Sequence, residues 1–382
     1  MLGEQFSDVA AHFCWDGDFS KAPVVPPAMG CPKEGQLSST SADNHAELMG
    51  RVCYDSLGKG RSSEGYHAHI KEVGHGSVYE HAGITVELDH GDFEGDVEGN
   101  PVFPLLGRPG VWFDHLLTED DEATEDGDTT FRVTANWRAI WEWDRWSAVL
   151  PTCRPRGFRE HADCLGSVLR QHARKVAPLI LPTETSSHPL VGHVVKPETN
   201  FEKWITLYLS GSRGFSHEMV RHGDFSAISQ RSTRYVDEDG SPYVVHPLLT
   251  AYYNEVNDPD ANWAEKEAKD AAGTAYRDVV GKLEPWLLHK GLDKTTARKQ
   301  ARGAARGFLG NALQTELFFS ANVWQWKNIL AQRASAGADA EIRKIAVAAL
   351  PELRKSRWAS DFDGYEVKPS PDAIGEILVR GS

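Results

Sequence analysis

Residues 221–235 read RHGDFSAISQRSTRY, a stretch with three arginines, one histidine, four hydroxyl side chains and a tyrosine against a single acid, Asp224. Arginine suits phosphate because its planar fork donates two parallel, charge-assisted hydrogen bonds. The interleaved serine and threonine hydroxyls can complete the shell around phosphate oxygens. The stretch therefore describes a cradle for an anionic small ligand. The rival reading, in which Arg221, Arg231 and Arg234 merely pair with surface acids, stays open on these residues alone.

Working outward, the segment before it, FEKWITLYLS (201–210), sets Trp204, Thr206 and Tyr208 against Ile205, Leu207 and Leu209, the period of a strand. It leads through GSRG into SHEMVRH, a short helix. After the motif a helical stretch spans 260–290 and is expected to kink at Pro285. Gly291 separates it from DKTTARKQARGAARGFLG, where Asp293 is the expected N-cap. There Arg298, Arg302 and Arg306 fall on one helical face, and Ala297, Ala301, Ala304, Ala305 and Phe308 on the opposite one. In TELFFSANVWQWKNILAQRAS, Leu317–Ser320 reads as a strand end, and Val323, Trp326, Ile329 and Leu330 form an apolar helical stripe. Asn322 and Arg333 then share a face about 16 Å apart along the axis.

Toward the N-terminus, ADNHAELMGRVCYDSLGKG (42–60) reads as a helix with a glycine-lysine-glycine stop, GYHAHIKEV as a second, and Ile84, Val86 and Leu88 as a strand. Residues 89–200 differ in composition and read as an insertion: loops around at least one tryptophan-lined helix near Asn136–Trp146, with the acidic TEDDEATEDGD as a solvated loop.

Composition narrows the classes. The chain has 382 residues, 40% hydrophobic, with twelve tryptophans, enough for a substantial core. The net charge of −14 argues against a nucleic-acid partner, which would need a broad basic surface. Glu87–Asp128 alone carries fourteen acids and one base, Arg108, so the rest is nearly neutral and an arginine cluster can dominate its own cleft. The five cysteines (Cys14, Cys31, Cys53, Cys153, Cys164) are scattered without a CxxC, which suggests neither a disulfide framework nor a thiolate metal site. The start, MLGEQFSDVAAHF, is no signal peptide, and nowhere do about 18 uncharged apolar residues run together, so a cytoplasmic location without a membrane partner is expected. His67, His69, His75 and His81 raise the question of a metal, but no HExxH or carboxylate at ligand spacing accompanies them. GxSxG, a P-loop and a strand-borne GxGxxG are all absent.

Taken in order, GHGSVYEHA (74–82), RGFSHEMV, the 221–235 motif, ARKQARGAARGFLGNALQTE and NVWQWKNILAQRASAGADAEIR resemble the flavin-dependent thymidylate synthases. That family's signature is Arg-His-Arg, seven or eight residues, then Ser; here it is Arg221, His222, Gly223, eight residues and Ser232, continuing to Arg234 and Tyr235. The resemblance covers about 42–88 and 201–367. It implies an α+β fold, an antiparallel sheet packed with several long helices. It also implies a single catalytic domain over 1–382 with 89–200 as a large insertion, and a homotetramer with shared active sites.

By position the resemblance implies FAD contacts at His75, Ser77, Arg221, His222, Gly223, Gln230, Asn322 and Asn328. Contacts to dUMP are implied at Glu218, Arg221, Gln230, Arg231, Ser232, Arg234, Arg306 and Arg333, with Arg333 catalytic. The implied reaction is reductive methylation of dUMP to dTMP, with NADPH and methylenetetrahydrofolate as co-substrates and no metal. Gly223 departs from the signature arginine and removes a guanidinium from the flavin side, so weaker flavin binding is expected; Gly310 stands where relatives often have proline. Two rivals remain: a binding-competent relative that has lost turnover, and the cysteine-dependent synthase, which LPTCRPRGF with Cys153 faintly echoes.

Overall fold

The period-two alternation of residues 204–210 becomes a strand buried from Ile205 onward, and the structure is organised around it. The computed structural model describes residues 6–7, 9–26, 40–89, 111–115, 130–143, 158–181, 192–223, 225–256, 262–372 and 374–381. In chain order the strands are β1 (Phe6–Ser7), β2 (Ala10–Trp15), β3 (Gly83–Asp89), β4 (Val111–His115), β5 (Thr130–Asn136), β6 (His193–Val194), β7 (Trp204–Ser212), β8 (Ser226–Gln230), β9 (Tyr243–Val244), β10 (Gln314–Asn322), β11 (Tyr365–Pro369) and β12 (Glu376–Arg380). The helices are α1 (Ser41–Tyr54), α2 (Ser63–Glu72), α3 (Trp137–Trp141), α4 (Phe158–Arg174), α5 (Arg213–Met219), α6 (Pro247–Val256), α7 (Trp263–His289), α8 (Lys294–Ala305), α9 (Val323–Arg333) and α10 (Ala340–Leu353).

The central sheet runs β2-β7-β10-β8 and is antiparallel throughout. One face, with Ile205, Leu207, Leu209, Leu317 and Phe319, packs on Trp326, Ile329 and Leu330 of α9 and on Ile342, Ile345 and Leu350 of α10. The other places Tyr208 and Phe318 against Ala46, Leu48 and Met49 of α1. This mixture of helices and antiparallel sheet is the α+β class expected from the sequence. Among the described residues no helix is long and apolar enough to cross a membrane.

β7 and β10 pair over nine residues, Trp204↔Asn322 to Ser212↔Gln314, a ladder about 27 Å long. Each strand ends as the N-cap of a helix: Ser212 Oγ accepts from Phe215 N at 3.1 Å, and Asn322 Oδ1 from Gln325 N at 2.8 Å. The strands are antiparallel, so α5 and α9 start from opposite ends of the ladder and point toward each other over the same face. Their lengths, seven and eleven residues, sum to about the length of the ladder. Their C-terminal ends therefore meet.

Several sequence expectations change. α1 stops at Tyr54, not at Gly58–Gly60, because Asp55 takes the left-handed position (φ 44°) that ends a helix, a conformation Asp tolerates better than most residues. The SHEMVRH helix starts earlier, at Arg213, and the strand at Leu317–Ser320 extends to Gln314–Asn322. Pro285 lies inside α7, which is continuous from Trp263 to His289. Asp293 caps α8 through Thr295 N and Thr296 N, and Ala297 and Ala301 are buried against Leu283 and Leu287; Ala304 and Phe308, however, face solvent. The three arginines also diverge: Arg298 lies 3.6 Å from Glu284, Arg302 binds the Tyr235 carbonyl and Asp237, and Arg306 lies past the helix end.

The segment 89–200 also contributes strands, which the sequence reading did not anticipate. β5 pairs with β3 from Gly83↔Asn136 to Asp89↔Thr130, β4 adds outside β5 and β6 outside β3, which makes a second antiparallel sheet in the order β4-β5-β3-β6. The tryptophan-lined helix is short, capped by Asn136, and Trp137 and Trp143 share a core with α1. α4 was not anticipated. The acidic TEDDEATEDGD, Cys31 and Cys153 lie outside the described residues.

Buried imidazoles make this fold acid-sensitive. Burial drives His67 and His81 down to about 3 and His45 well below its ordinary value. The folded chain therefore keeps them neutral, while the unfolded chain protonates them near 6.5, so stability falls as pH drops below 6.5. Each should cost on the order of 1.4 kcal/mol per pH unit in that window. Asp43 and Glu47, raised by burial, act in the opposite sense closer to the carboxylate range. We expect the urea midpoint to be clearly lower at pH 5.5 than at 7.5; equal midpoints would refute the account.

Candidate active site

Where α5 and α9 meet, Arg333 is held from two sides. Its Nη1 donates to Glu218 Oε2 at 2.9 Å and its Nε to His222 Nε2 at 2.8 Å. Both helix ends present carbonyls and the negative end of their dipoles, which favours a cation there. Gln325 Nε2 donates to the His222 carbonyl at 3.3 Å, tying the Arg221–Gly223 turn to α9. His222 must be neutral to accept from Arg333, and burial, then the Arg333 charge, holds its pKa below the ordinary value. Arginine has five N–H donors, so three remain on Arg333 for a ligand.

β8 separates this corner from a second one by about 15 Å. Gln230 Nε2 donates to Ser216 Oγ and Thr315 Oγ1, both at 3.0 Å. Arg231 lies 3.8 Å from Glu238, and Ser232 N donates to the Cys53 carbonyl at 3.0 Å. Arg234 runs along α8 beside Gly303. Tyr235 meets Lys299, whose Nζ lies 4.7 Å above its ring, and stands edge-on to Tyr54 at 4.8 Å. The Tyr54 hydroxyl hydrogen-bonds His75 Nδ1 and its ring stacks on His75, while Ser77 is exposed in the following turn. Burial first, then Lys299, lowers the His75 pKa.

The sequence-predicted residues thus fall into two groups at the ends of β8: Glu218, Arg221, His222, Gly223 and Arg333 at one, and His75, Ser77, Gln230, Arg231, Ser232, Arg234 and Arg306 toward the other. Arg221, Arg234 and Arg306 are exposed and have no carboxylate partner among the described residues. Asn322 is different: it is fully buried, with Oδ1 spent on the cap of α9 and Nδ2 donating to the Phe201 carbonyl at 3.4 Å. Asn328 bonds Gln325 and Gln332 on its own helix. Tyr54 and Lys299 were missed, because they come from α1 and α8 and no local spacing points to them; Arg302, read from the sequence on one face with Arg306, turns instead to the Tyr235 carbonyl and Asp237.

A family model described as "Thymidylate synthase complementing protein" matches residues 196–356, which include every candidate from Glu218 to Arg333 and leave out His75 and Ser77. The chain is 40% identical over 175 residues to the flavin-dependent thymidylate synthase of Mycobacteroides abscessus, 38% over 176 to that of Mycolicibacterium vanbaalenii, and 39% over 179 to that of Mycobacterium tuberculosis. Each match covers 44% of this chain and 67% of the relative. The chain belongs to the flavin-dependent thymidylate synthase family. Against that family's signature, the Gly223 backbone has no left-handed φ, and a Cβ there would meet only the Val220 carbonyl at 3.6 Å, so the backbone of this chain admits a side chain at that position.

The Arg333–His222 contact has a measurable consequence. Replacing Arg333 with alanine removes the positive charge facing the imidazole, so the His222 titration followed by NMR should move up toward its ordinary value, stopping short because burial remains. An unchanged titration would mean that the pairing does not persist in solution.

Proposed function

We propose that this chain converts dUMP to dTMP by reductive methylation, using methylenetetrahydrofolate, NADPH and FAD. The observation that carries the reading is Arg333, fixed by Glu218 and His222 with three donors unspent, beside Arg221, which has no carboxylate partner among the described residues. The residues fit a flavin nucleotide and a nucleoside monophosphate. Arg221, Arg234 and Arg306 can hold phosphates, and His75, Ser77 and Ser232 can donate to or accept from ring and sugar atoms. The flavin would supply the reducing equivalents.

In this reading Arg221, His222 and the Gly223 turn face FAD at one end of β8, Gln230, Arg231, Ser232, Arg234 and Arg306 face dUMP at the other, and His75 and Ser77 would contact FAD from that second end. Asn322 would shape the flavin side through its backbone and its cap, since its side chain is already spent. For C5 of uracil to become nucleophilic, charge must develop on a ring carbonyl oxygen. A guanidinium already oriented by two partners stabilises that charge without reorganising, an effect typically worth about 3 kcal/mol. Glu218 and His222 act by holding Arg333 still.

We read 1–382 as one catalytic unit with 89–200 inserted, because Trp137 and Trp143 share their core with α1. A homotetramer with shared sites is supported by the exposed apolar side chains on α6 and α7: Leu248, Tyr252, Trp263 and Trp286 are each more than half exposed.

The deciding experiment is NADPH-dependent formation of dTMP from dUMP and methylenetetrahydrofolate by the flavin-loaded protein. Arg333→Ala should lower turnover by about two orders of magnitude while the fold is kept. No product from the parent chain would favour a binding relative without turnover. Loss of product in Cys153→Ala with the fold intact would favour the cysteine-dependent route. Gly223→Arg should bind FAD about tenfold more tightly in a fluorescence titration; an unimproved affinity would show that the absent guanidinium does not limit binding.

A further inference from the structure

The face of the central sheet that meets α1 is not wholly apolar. In its middle sit Thr206 of β7, Ser320 of β10 and Ser229 of β8, one hydroxyl on each of three adjacent strands. They are bound into a chain by two histidines. His45 Nε2 lies 2.9 Å from Thr206 Oγ1, Thr206 Oγ1 2.6 Å from Ser320 Oγ, Ser320 Oγ 2.8 Å from His81 Nδ1, and His81 Nε2 2.8 Å from Ser229 Oγ. All five side chains are at least nine-tenths buried. Beyond Ser229 the chain reaches the Cys53 thiol, which burial pushes up to about 11 and which the Ser229 hydroxyl faces. A neutral imidazole donates from one ring nitrogen and accepts at the other, so His81 with a hydroxyl on each side has both groups satisfied.

The two ends of this chain differ in what they adjoin. His45 and Thr206 lie in the core beside Trp15. Ser229 immediately precedes Gln230, and His81 follows the turn Gly76–Tyr79 that carries Ser77 and lies next to His75. The apolar anchors of that turn, Val78 and Tyr79, are buried, but hydrophobic contact has no preferred direction, whereas a hydrogen bond falls off steeply with angle. The bonds from His81 to β8 and β10 are thus a directional tie between the two sides of the cleft.

We propose that His81 is a positioning residue: by bonding Ser229 and Ser320 it sets the separation between the turn carrying His75 and Ser77 and the strand end carrying Gln230, Ser232 and Arg234. The proposal rests on the reading of these two segments as the flavin and dUMP sides of one site. It explains why an otherwise apolar interface keeps a row of hydroxyls: Ser229 and Ser320 give His81 a fixed place to bind.

The test uses the full-length protein and substitutions that keep the imidazole. Ser229→Ala removes the tie at the cleft, Ser229→Thr keeps a hydroxyl there, and Thr206→Val removes a hydroxyl at the far end of the same chain with little change in volume. Affinities for dUMP and for FAD are measured by titration, together with kcat and KM. We expect Ser229→Ala to weaken both ligands by about tenfold, appearing in KM, with kcat within about twofold because Arg333 is held elsewhere. Ser229→Thr should restore binding. Thr206→Val should lower thermal stability about as much as Ser229→Ala yet change either affinity by less than about twofold. Equal losses of affinity in the alanine and valine variants, or none in either, would overturn the proposal by making the chain a purely structural one. If the parent protein binds neither dUMP nor FAD, the functional reading fails on its own account. Hydrogen exchange then still decides the tie: residues 74–82 and 228–236 should exchange faster in Ser229→Ala than in Thr206→Val, and equal rates would overturn it.

Discussion

The nine-residue ladder between β7 and β10 is the constraint on which the site depends. Its length sets the distance between two N-caps, Ser212 and Asn322, and the lengths of α5 and α9 set how far each helix returns across the sheet. Because these lengths match, Glu218 and Arg333 arrive at the same place from opposite ends of the sheet. A one-residue slip in the ladder would move both caps and turn every inward side chain of one strand outward. The burial of both faces of β7 is what forbids that slip.

The same ladder divides the work of its two faces. Leucines, isoleucines and phenylalanines on one side hold α9 and α10 largely by area, with Trp326 Nε1 donating to the Ile205 carbonyl and Glu341 accepting from Ser212 at the margins. On the other side, hydroxyls and imidazoles hold α1 and the turn after His75 by direction. The candidate residues divide between the two sides: Arg333 and Glu218 stand at the ends of helices on the first face, and Ser232, whose N–H donates to the Cys53 carbonyl, stands where β8 ends beside α1. Neutral histidines suit this role because protonation would break the acceptor half of each bond.

What the sequence revealed follows from the range of the forces involved. The alternation of 204–210, the apolar stripe of Val323, Trp326, Ile329 and Leu330, and the cap at Asp293 are local and were legible. The division of the motif's two ends came from the family resemblance, and β8 sets those ends apart. The second sheet was not legible: β5 finds β3 across more than forty residues, and a run such as FRVTANWRAIW carries helical and strand character together. Nor could spacing show that Tyr54 reaches His75, or that Asn322 spends its side chain on its own helix. Such contacts depend on how elements dock, and a position-by-position transfer of roles passes over them.

The way 89–200 joins the rest also limits how this chain could be shortened. β3 begins two residues after His81, and its neighbours on either side, β5 and β6, both come from residues 89–200. Excising that segment would leave Ile84, Val86 and Leu88 on a strand with two bare edges, an invitation to pair with other chains. A shortened chain would need a new cover for β3, so residues 89–200 act as a splint for the strand that leads away from His81.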